Sequence, residues 1–180
     1  MTADGGVRIE LWGAPGEVER LGEVLHACVQ AGASVGFCLP FARQQADAFW
    51  RDDVLPAVRR GSRRLLVARR GEEVAGTVQL DLASPPNGPH RAEVKKLLVH
   101  PRARRAGIAR LLMAAVEREA RAAGRTLLTL DTEAGSDAER LYLALGYTAA
   151  GSIPGYALSA VERVPHATTI MYKQLRGAGE

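Results

Sequence analysis

The fold of this chain is decided by residues 99–109, which read VHPRARRAGIA. A strand over residues 92–99 leads into this stretch and ends at Pro101, because proline has no N–H group and disfavours helical angles in the residue before it. Beyond it, the main-chain N–H groups of residues 104–109 would be the unpaired donors of a helix N-terminus, where the helix dipole adds positive charge. Gly107 leaves room for close approach to the main chain. The stretch predicts a phosphate-binding turn, defined here as residues 104–109.

Two other phosphate motifs do not fit this stretch. A dinucleotide-binding fingerprint needs a third small residue where Leu112 stands, and a nucleoside-triphosphate loop needs a Gly-Lys-Ser/Thr sequence that is absent. A basic helix start that merely faces solvent remains the alternative to phosphate binding.

The composition is typical of a globular domain. The chain has 180 residues, 47% of them apolar, and we find neither a linker nor a repeat, so one domain over residues 1–180 is expected. The net charge of +4 comes without interleaved aromatic and basic residues, which argues against nucleic acid as a partner. Cys28 and Cys38 have no metal-ligand spacing with a histidine, so we expect free thiols and no metal. Without a leader or a bilayer-long apolar run, we expect no membrane association and a cytoplasmic location.

Periodicity along the chain predicts a mixed α/β fold. The strand 91–99, the phosphate-binding turn, a helix and the strand 125–131 form a parallel crossover, whereas the other strands are expected to be antiparallel. The predicted strands are 7–12, 64–69, 74–83, 91–99, 125–131, 147–153 and 168–175, and the predicted helices begin near residues 18, 41, 108 and 138.

The helix that follows the phosphate-binding turn is predicted to pack on the sheet. Glu117 and Arg121 would form an outward-facing ion pair. The apolar face would consist of residues spaced three and four apart, namely Ile108, Leu111, Leu112, Ala115 and Val116.

A second motif lies at residues 135–147, which read GSDAERLYLALGY. It resembles a signature of the GNAT superfamily of N-acyltransferases, and the Arg-x-x-Gly-x-Ala spacing of the phosphate-binding turn resembles that superfamily's acyl-CoA-binding signature. The resemblance implies a GNAT fold, in which a mixed, mostly antiparallel sheet has a central, splayed pair of parallel strands and flanking helices. It also implies acetyl-CoA as the cosubstrate.

The chain departs from the superfamily pattern at two positions. Gly135 stands where asparagine is usual, so a hydrogen bond from that side chain to the cofactor is either lost or supplied by Ser136. Arg105 stands where glycine is usual, and its side chain is expected to point to solvent or to a phosphate.

A narrower resemblance extends along nearly the whole chain. Residues 32–37, 86–88, 91–94, 130–136 and 154–156 look like the corresponding stretches of the tabtoxin-resistance acetyltransferases, which acetylate the amine of a small β-lactam amino acid. The resemblance implies a direct N-acetyl transfer to a small amine, with antibiotic or toxin resistance as the role. Substrate identity is its least transferable part, because acceptor pockets diverge while folds persist.

The resemblance also implies which residues hold acetyl-CoA. Where the parallel strands splay, main-chain N–H groups of Leu97, Leu98 and Val99 would bind the pantetheine arm and the thioester oxygen. The pyrophosphate would lie on the phosphate-binding turn, which is formed by Arg104, Arg105, Ala106, Gly107, Ile108 and Ala109.

Three side chains are candidates for the chemistry. Tyr142 is at the position that the family uses as general acid, although it could equally be a core tyrosine of an amphipathic helix. Glu93 and Asp131 flank the splay and could remove a proton from the acceptor amine, directly or through water. Glu93 could instead pair with Lys95 or Arg91, and Asp131 could instead cap the following turn.

Two further segments bear on the acceptor. The apolar loop 32–40 could wall a small pocket, or it could be a buried connection between helices. Tyr156, in the predicted loop 153–156, could be another wall of that pocket, or it could pack under its own loop. His100 and His166 are expected at the surface. A non-catalytic acyl-CoA-binding regulatory module and an acetyltransferase of protein amines are the alternative functions, and exposed C-terminal strands could pair in a homodimer.

Overall fold

The structure is a computed structural model that describes residues 6–13 and 17–175 of the chain. A π-helical segment, Phe49–Val54, joins the second helix to the third, and a 3₁₀ turn, Pro101–Ala103, follows the fourth strand. The helices are α1 (Val18–Gln30), α2 (Arg43–Ala48), α3 (Leu55–Arg59), α4 (Ile108–Ala122) and α5 (Asp137–Ala144). The strands are β1 (Val7–Leu11), β2 (Arg63–Arg70), β3 (Glu73–Asp81), β4 (Arg91–Val99), β5 (Leu127–Glu133), β6 (Thr148–Leu158) and β7 (Pro165–Gln174).

The seven strands form one sheet in the order β1-β2-β3-β4-β5-β7-β6. Strands β4 and β5 are parallel, and the other neighbouring pairs are antiparallel. Helix α4 connects the parallel pair, since antiparallel strands can be joined by a tight turn but parallel strands need a crossover. The predicted mixed α/β fold with one parallel crossover and an antiparallel C-terminal pair is confirmed. In the described part of the chain, no helix meets the length and apolarity that a membrane crossing requires.

The parallel pair separates after three residues. β4 and β5 are in register only from Arg91 with Leu127 to Glu93 with Thr129. Farther along β4, Lys96 has a φ of 50°, and the pairing of β4 with β3 shifts its register next to it. A bulge of this kind bends and twists its strand. The edge of β4 that faces β5 is therefore unpaired from Val94 onward.

Both faces of the sheet are covered by apolar side chains. In β2, Leu66 and Ala68 pack in the cluster under α4, whereas Leu65 and Val67 pack on the opposite side with α1 and the buried Trp50. Successive side chains of a strand point to opposite faces, so a strand buried on both faces is a continuous apolar run.

Helix α4 packs on the sheet through a slightly different face from the one predicted. Ile108, Leu112 and Val116 are buried as expected, but Leu111 is 44% exposed and Met113 is fully buried in its place. The predicted outward orientation of Glu117 is wrong. Its carboxylate is buried and accepts a hydrogen bond from Lys173 Nζ at 2.7 Å, because β7 brings that ammonium over the helix.

The predicted loop at residues 153–156 is also wrong, because these residues lie inside β6. The register of β6 against β7 shifts between Ile153 and Ala157, which marks a bulge. Pro154 and Gly155, which predicted a loop, are accommodated there because β6 is an edge strand of the sheet, where a missing N–H donor is tolerated.

Candidate active site

The phosphate-binding turn presents a row of unpaired N–H groups. In the described part of the chain, the main-chain N–H groups of residues 105–110 donate to no protein acceptor. Arg105 and Gly107 both have left-handed backbone angles, with φ of 64° and 74°, which turns successive N–H groups toward one side. A Cβ added to Gly107 would meet nothing within 4 Å, so the space beside the turn is open. The geometry fits an anion such as a diphosphate.

The start of the turn is held by its own side chains. His100 Nδ1 accepts the Arg102 N–H at 3.2 Å and so caps the 3₁₀ turn. Arg104 Nε donates to the carbonyl oxygen of Val99 at 3.4 Å, and Cys28 Sγ lies 3.4 Å from the same oxygen. His100 thus has a structural hydrogen bond that its sequence position did not indicate.

Beside the split between β4 and β5 lies a cavity of about 450 Å³, which we call the acceptor cavity. Leu97 lines it, whereas the side chain of Leu98 is buried in the core, so that Leu98 can offer a ligand only its main chain. The predicted contribution of residues 97–99 through N–H groups stays a prediction. All three candidate catalytic side chains line this cavity, namely Glu93, Asp131 and Tyr142.

Tyr142 extends from α5 into the core side of the cavity. Its side chain is 6% exposed, and its ring centroid lies 5.8 Å from that of Tyr147. Burial raises the pKa of Tyr142, and the charge of Asp131 raises it further. The phenol is therefore protonated at neutral pH and can donate a proton, as a general acid must.

The two candidate bases differ in their partners. Glu93 Oε2 lies 2.9 Å from Lys95 Nζ, which confirms the contact with Lys95 that the sequence left open. Lys95 also donates to Asp81 Oδ2 at 3.1 Å. Asp131 has neither a hydrogen bond nor an ion pair from its side chain to any of the described residues. It does not cap α5, because Ser136 is the N-cap.

Ser136 is the N-cap of α5. Its Oγ accepts the Glu139 N–H at 3.1 Å, and the Glu139 carboxylate accepts the N–H of Gly135, the residue before the cap, at 2.6 Å. Gly135 has a φ of 76°, a backbone angle that suits glycine. The Ser136 hydroxyl thus caps the helix, and its predicted contact with the cofactor stays a prediction.

The walls of the acceptor cavity include the segments expected there. Ser34, Val35 and Gly36 of the loop 32–40 line it, and so does Tyr156 of β6, which is 55% exposed.

The structure adds cavity residues that the sequence analysis missed. Gln79 and Lys96 line the cavity, and His166, expected at the surface, is largely buried with Nε2 3.2 Å from Ser34 Oγ. Gln79 could have been noticed in the sequence, because it is a polar residue within the apolar run of β3. The described residues contain no group of three or more side chains placed to hold a metal ion.

The sequence of this chain matches a known protein family. Residues 33–147 match the acetyltransferase (GNAT) family. The chain is 34% identical over 118 residues to an uncharacterized N-acetyltransferase from the hisH-hisA intergenic region of Azospirillum brasilense, an alignment covering 64% of this chain and 68% of that protein.

Solved structures share the fold at low sequence identity. The yncA protein of Salmonella typhimurium, determined with its cofactor acetyl-CoA, is similar with a TM-score of 0.76 and 19% identity over 97% of this chain and 96% of the other. An N-acetyltransferase from Staphylococcus aureus Mu50 has a TM-score of 0.79 and 17% identity over 95% and 99%. The GNAT resemblance and its fold are confirmed, while the narrower likeness to the tabtoxin-resistance enzymes stays a prediction. The chain belongs to the GNAT family of acetyltransferases and is an enzyme of the N-acetyltransferase type.

Proposed function

We propose that this protein transfers the acetyl group of acetyl-CoA directly to the amine of a small molecule. The observation that carries the proposal is one arrangement: a turn of unpaired N–H groups at the end of β4, the unpaired edge of β4, and a cavity lined by Tyr142, Glu93 and Asp131. The yncA structure, which shares the fold and holds acetyl-CoA, supports the choice of cosubstrate.

The residues of the turn and of β4 would hold the cosubstrate. The N–H groups of residues 105–109 would bind the pyrophosphate, as helix N-termini and successive left-handed turns bind anions. The N–H group of Arg104, which was also predicted to bind it, instead donates to the carbonyl oxygen of Pro101 at 3.4 Å. Of residues 97–99, those whose main-chain N–H groups point away from β3 would bind the pantetheine arm along the free edge of β4. Acetyl-CoA would supply the acetyl group as an activated thioester.

The cavity side chains would move the protons. Asp131 or Glu93 would attract the ammonium form of the acceptor and take up its proton, directly or through water, because an alkylamine with a pKa near 10.4 is mostly protonated at neutral pH. The neutral amine would then form the N–C bond as the C–S bond of the thioester breaks. Tyr142, kept protonated by burial, would donate its phenolic proton to the departing thiolate, and the second proton of the nitrogen would restore the phenol as the amide forms. No covalent intermediate on the enzyme is needed for this sequence.

The walls of the cavity support a small acceptor over a protein. The loop residues 34–36 and Tyr156 both line the space beside the carboxylates. A cavity of about 450 Å³ is in the usual range for small ligands, whereas a peptide needs an open groove.

The biological role follows the narrower resemblance. We propose inactivation of an amine-bearing antibiotic or toxin in the cytoplasm, on the strength of the stretches that look like the tabtoxin-resistance acetyltransferases. Homodimer formation is proposed from β6, an edge strand on which Ile153 and Leu158 are exposed.

Two measurements test the proposed activity. Isothermal titration calorimetry should detect binding of acetyl-CoA, and release of free CoA should depend on an added small amine. Binding without turnover on a broad panel of small amines would favour the non-catalytic regulatory module. Turnover with peptide N-termini or lysyl peptides alone would favour acetylation of protein amines, and absence of binding would refute the proposal.

A further inference from the structure

The three lysines of the chain, Lys95, Lys96 and Lys173, have different surroundings. Lys95 Nζ lies 2.9 and 3.1 Å from two carboxylates, and Lys173 Nζ lies 2.7 Å from a carboxylate and 2.7 Å from a carbonyl oxygen. Neither a hydrogen bond nor an ion pair joins the ammonium of Lys96 to any of the described residues. Lys96 thus differs from the other two in having no oxygen partner within the described chain.

The ammonium of Lys96 lies at the wall of the acceptor cavity. It is 5.8 Å from the ring centroid of Phe37 and 5.9 Å from that of Phe49, and a Cβ placed on Gly36 would lie 3.5 Å from Lys96 Nζ. Gly36, Phe49 and Lys96 all line the cavity. The reactive end of the lysine, and not only its alkyl part, therefore lies beside the space proposed for the acceptor amine.

The backbone places Lys96 where the two parallel strands separate. Its φ of 50° is unfavourable for a residue with a side chain, and it lies at the bulge of β4 against β3. Such a conformation persists only where the surrounding structure imposes it, and it is found more often at functional sites. Lys96 directly precedes residues 97–99, whose free edge is proposed to hold the acyl donor. The lysine amine and the acetyl group of a bound acetyl-CoA would therefore share one cavity.

The surroundings of Lys96 also favour its neutral form. Burial lowers the pKa of Lys96, and the carboxylates of Asp131 and Asp53 only partly oppose this effect. The cations of Lys95 and Arg63 act in the same direction as burial. A lowered pKa leaves more of the side chain as the free amine at neutral pH, and the free amine is the form that attacks a thioester.

We propose that Lys96 is a self-acetylation site, which receives the acetyl group of bound acetyl-CoA when the acceptor cavity holds no amine. The Lys96 nitrogen would lose one proton to Asp131 or to water and form the N–C bond as the C–S bond of the thioester breaks. The CoA thiolate would take the phenolic proton of Tyr142, and a second proton of the nitrogen would restore the phenol. The products are acetyl-lysine, free CoA and one released proton. This proposal rests on the proposed acetyl transfer and adds a modification site to it.

The cavity favours this transfer in two ways. Holding the amine and the thioester in one site makes their reaction unimolecular, which removes much of the entropic barrier. Acetylation also removes the charge of a half-buried ammonium, and the apolar rings of Phe37 and Phe49 can pack on the neutral product. The added acetyl group would occupy part of the cavity, so the modified protein should no longer turn over its acceptor.

The experiment incubates the purified protein with acetyl-CoA that carries a deuterated acetyl group, in a buffer free of amines. Intact-mass spectrometry should show one labelled acetyl group per chain, and tandem mass spectrometry of its peptides should place this group on Lys96. Lys95 and Lys173 are internal controls, because both are held by oxygen atoms and should stay unlabelled. The rate per chain should not change with protein concentration, since the transfer takes place within one chain.

Variants test whether the labelling depends on the site. Lys96→Arg should abolish it, whereas Lys95→Arg, the matched change at the neighbouring residue, should leave Lys96 labelled. Tyr142→Phe should slow labelling about 10²-fold, as expected for loss of a general acid. An unlabelled acetyl group already on Lys96 of the purified wild type, but not of Tyr142→Phe, would support the proposal in the same way. Melting curves and acetyl-CoA affinity verify that the variants are folded.

The effect on turnover is measured after the same incubation. The wild type should then release CoA with an accepted amine more slowly, in proportion to the acetylated fraction of Lys96. Lys96→Arg, treated in the same way, should keep the rate that it had before incubation. Equal rates of the acetylated and unmodified wild type would show that acetylation of Lys96 does not block the cavity and would overturn this part of the proposal.

Several results would overturn the self-acetylation while the acetyltransferase function stands. These are turnover of an added amine with Lys96 unlabelled, equal labelling of all three lysines, a rate per chain that rises with protein concentration, and unchanged labelling in Tyr142→Phe. Failure of the wild type to bind acetyl-CoA would refute the proposed function and this inference with it.

Discussion

Glu93 Oε2 lies 2.9 Å from Lys95 Nζ, so one of the two candidate bases is already paired with a cation. Asp131, the other candidate, has no such partner in the described part of the chain. The Glu93 carboxylate would have to leave the ammonium of Lys95 before it could receive an acceptor amine, whereas the Asp131 carboxylate would not. We therefore propose Asp131 as the base.

The first prediction concerns how much Asp131 and Glu93 each contribute to kcat/KM. Asp131→Asn should lower kcat/KM by about 10²-fold or more, the usual contribution of a general base, and Glu93→Gln should lower it much less. Steady-state CoA release with an accepted amine gives both values, and acetyl-CoA affinity should stay unchanged in both variants. An effect of Glu93→Gln equal to or larger than that of Asp131→Asn would reverse the assignment.

The second prediction concerns the phenol of Tyr142. Tyr142→Phe should lower kcat about 10²-fold, as expected for loss of a general acid, without weakening acetyl-CoA binding. Because burial and Asp131 raise the pKa of Tyr142, its phenol stays protonated throughout the neutral pH range. The value of kcat should therefore not fall with rising pH in that range through ionisation of Tyr142.

Tyr147 provides the matched control for Tyr142. Its ring lies 5.8 Å from that of Tyr142, but its buried hydroxyl has no hydrogen-bond partner in the described residues. Tyr147→Phe should leave kcat unchanged and should keep or raise the melting temperature, since an unsatisfied buried group is removed. Equal losses of kcat in both variants would show that packing, and not acid catalysis, explains Tyr142.

The third prediction uses the backbone of the phosphate-binding turn. Arg105 has a φ of 64°, which costs a residue with a side chain about 1 kcal/mol or more. Arg105→Gly should therefore keep or raise the free energy of unfolding by up to about 1 kcal/mol. Acetyl-CoA should bind a few-fold more weakly because a cation beside the pyrophosphate is lost.

Gly107→Ala is the converse change in the same turn. The added Cβ has open space around it, but the φ of 74° remains unfavourable, so the free energy of unfolding should fall by about 1 kcal/mol. Thermal denaturation measures the stability of Arg105→Gly and Gly107→Ala, and calorimetric titration measures their affinity for acetyl-CoA. Stabilisation by Gly107→Ala would show that the turn does not have this backbone conformation.

The fourth prediction concerns Asp81, which accepts hydrogen bonds from Arg63 at 3.0 Å and Lys95 at 3.1 Å. Its side chain is nearly buried, and removing one partner of a buried ion pair leaves the others unmatched. Asp81→Asn should thus lower the free energy of unfolding by about 3 kcal/mol at neutral pH.

The difference between wild type and Asp81→Asn should depend on pH. Burial alone would raise the pKa of Asp81, but hydrogen bonds from Lys95 and the Ala83 N–H outweigh it and the pKa is lowered in the folded state. The stabilisation is then complete above the unfolded pKa of about 3.9 and is lost as pH falls through the folded value. Urea denaturation at neutral and acidic pH should show the difference narrowing in acid, and a difference that grew in acid would contradict the assignment.

Local signals in the chain were sufficient for most of the fold. Pro101, Gly107 and the spacing of Ile108, Leu112 and Val116 predicted the strand, turn and helix that the structure contains, because these properties depend on residues close in sequence. Leu111 was placed wrongly, since the width of the buried face depends on which neighbours the helix meets. The loop predicted from Pro154 and Gly155 was wrong for a similar reason, because a strand tolerates these residues when it lies at the edge of a sheet.

The amino-acid sequence and its resemblance to a known family predicted the class of fold, the turn that follows β4, and three side chains that line one cavity, namely Tyr142, Glu93 and Asp131. Only the tertiary structure decided which carboxylate is already paired, which way Glu117 faces and that Gln79 and Lys96 line the acceptor cavity. The reason is physical: angles and periodicity are local properties of the chain, whereas the partner of a charge is set by residues far away in sequence. Lys95 and Lys96 are neighbours in the chain, yet one is matched by carboxylates and the other faces two aromatic rings.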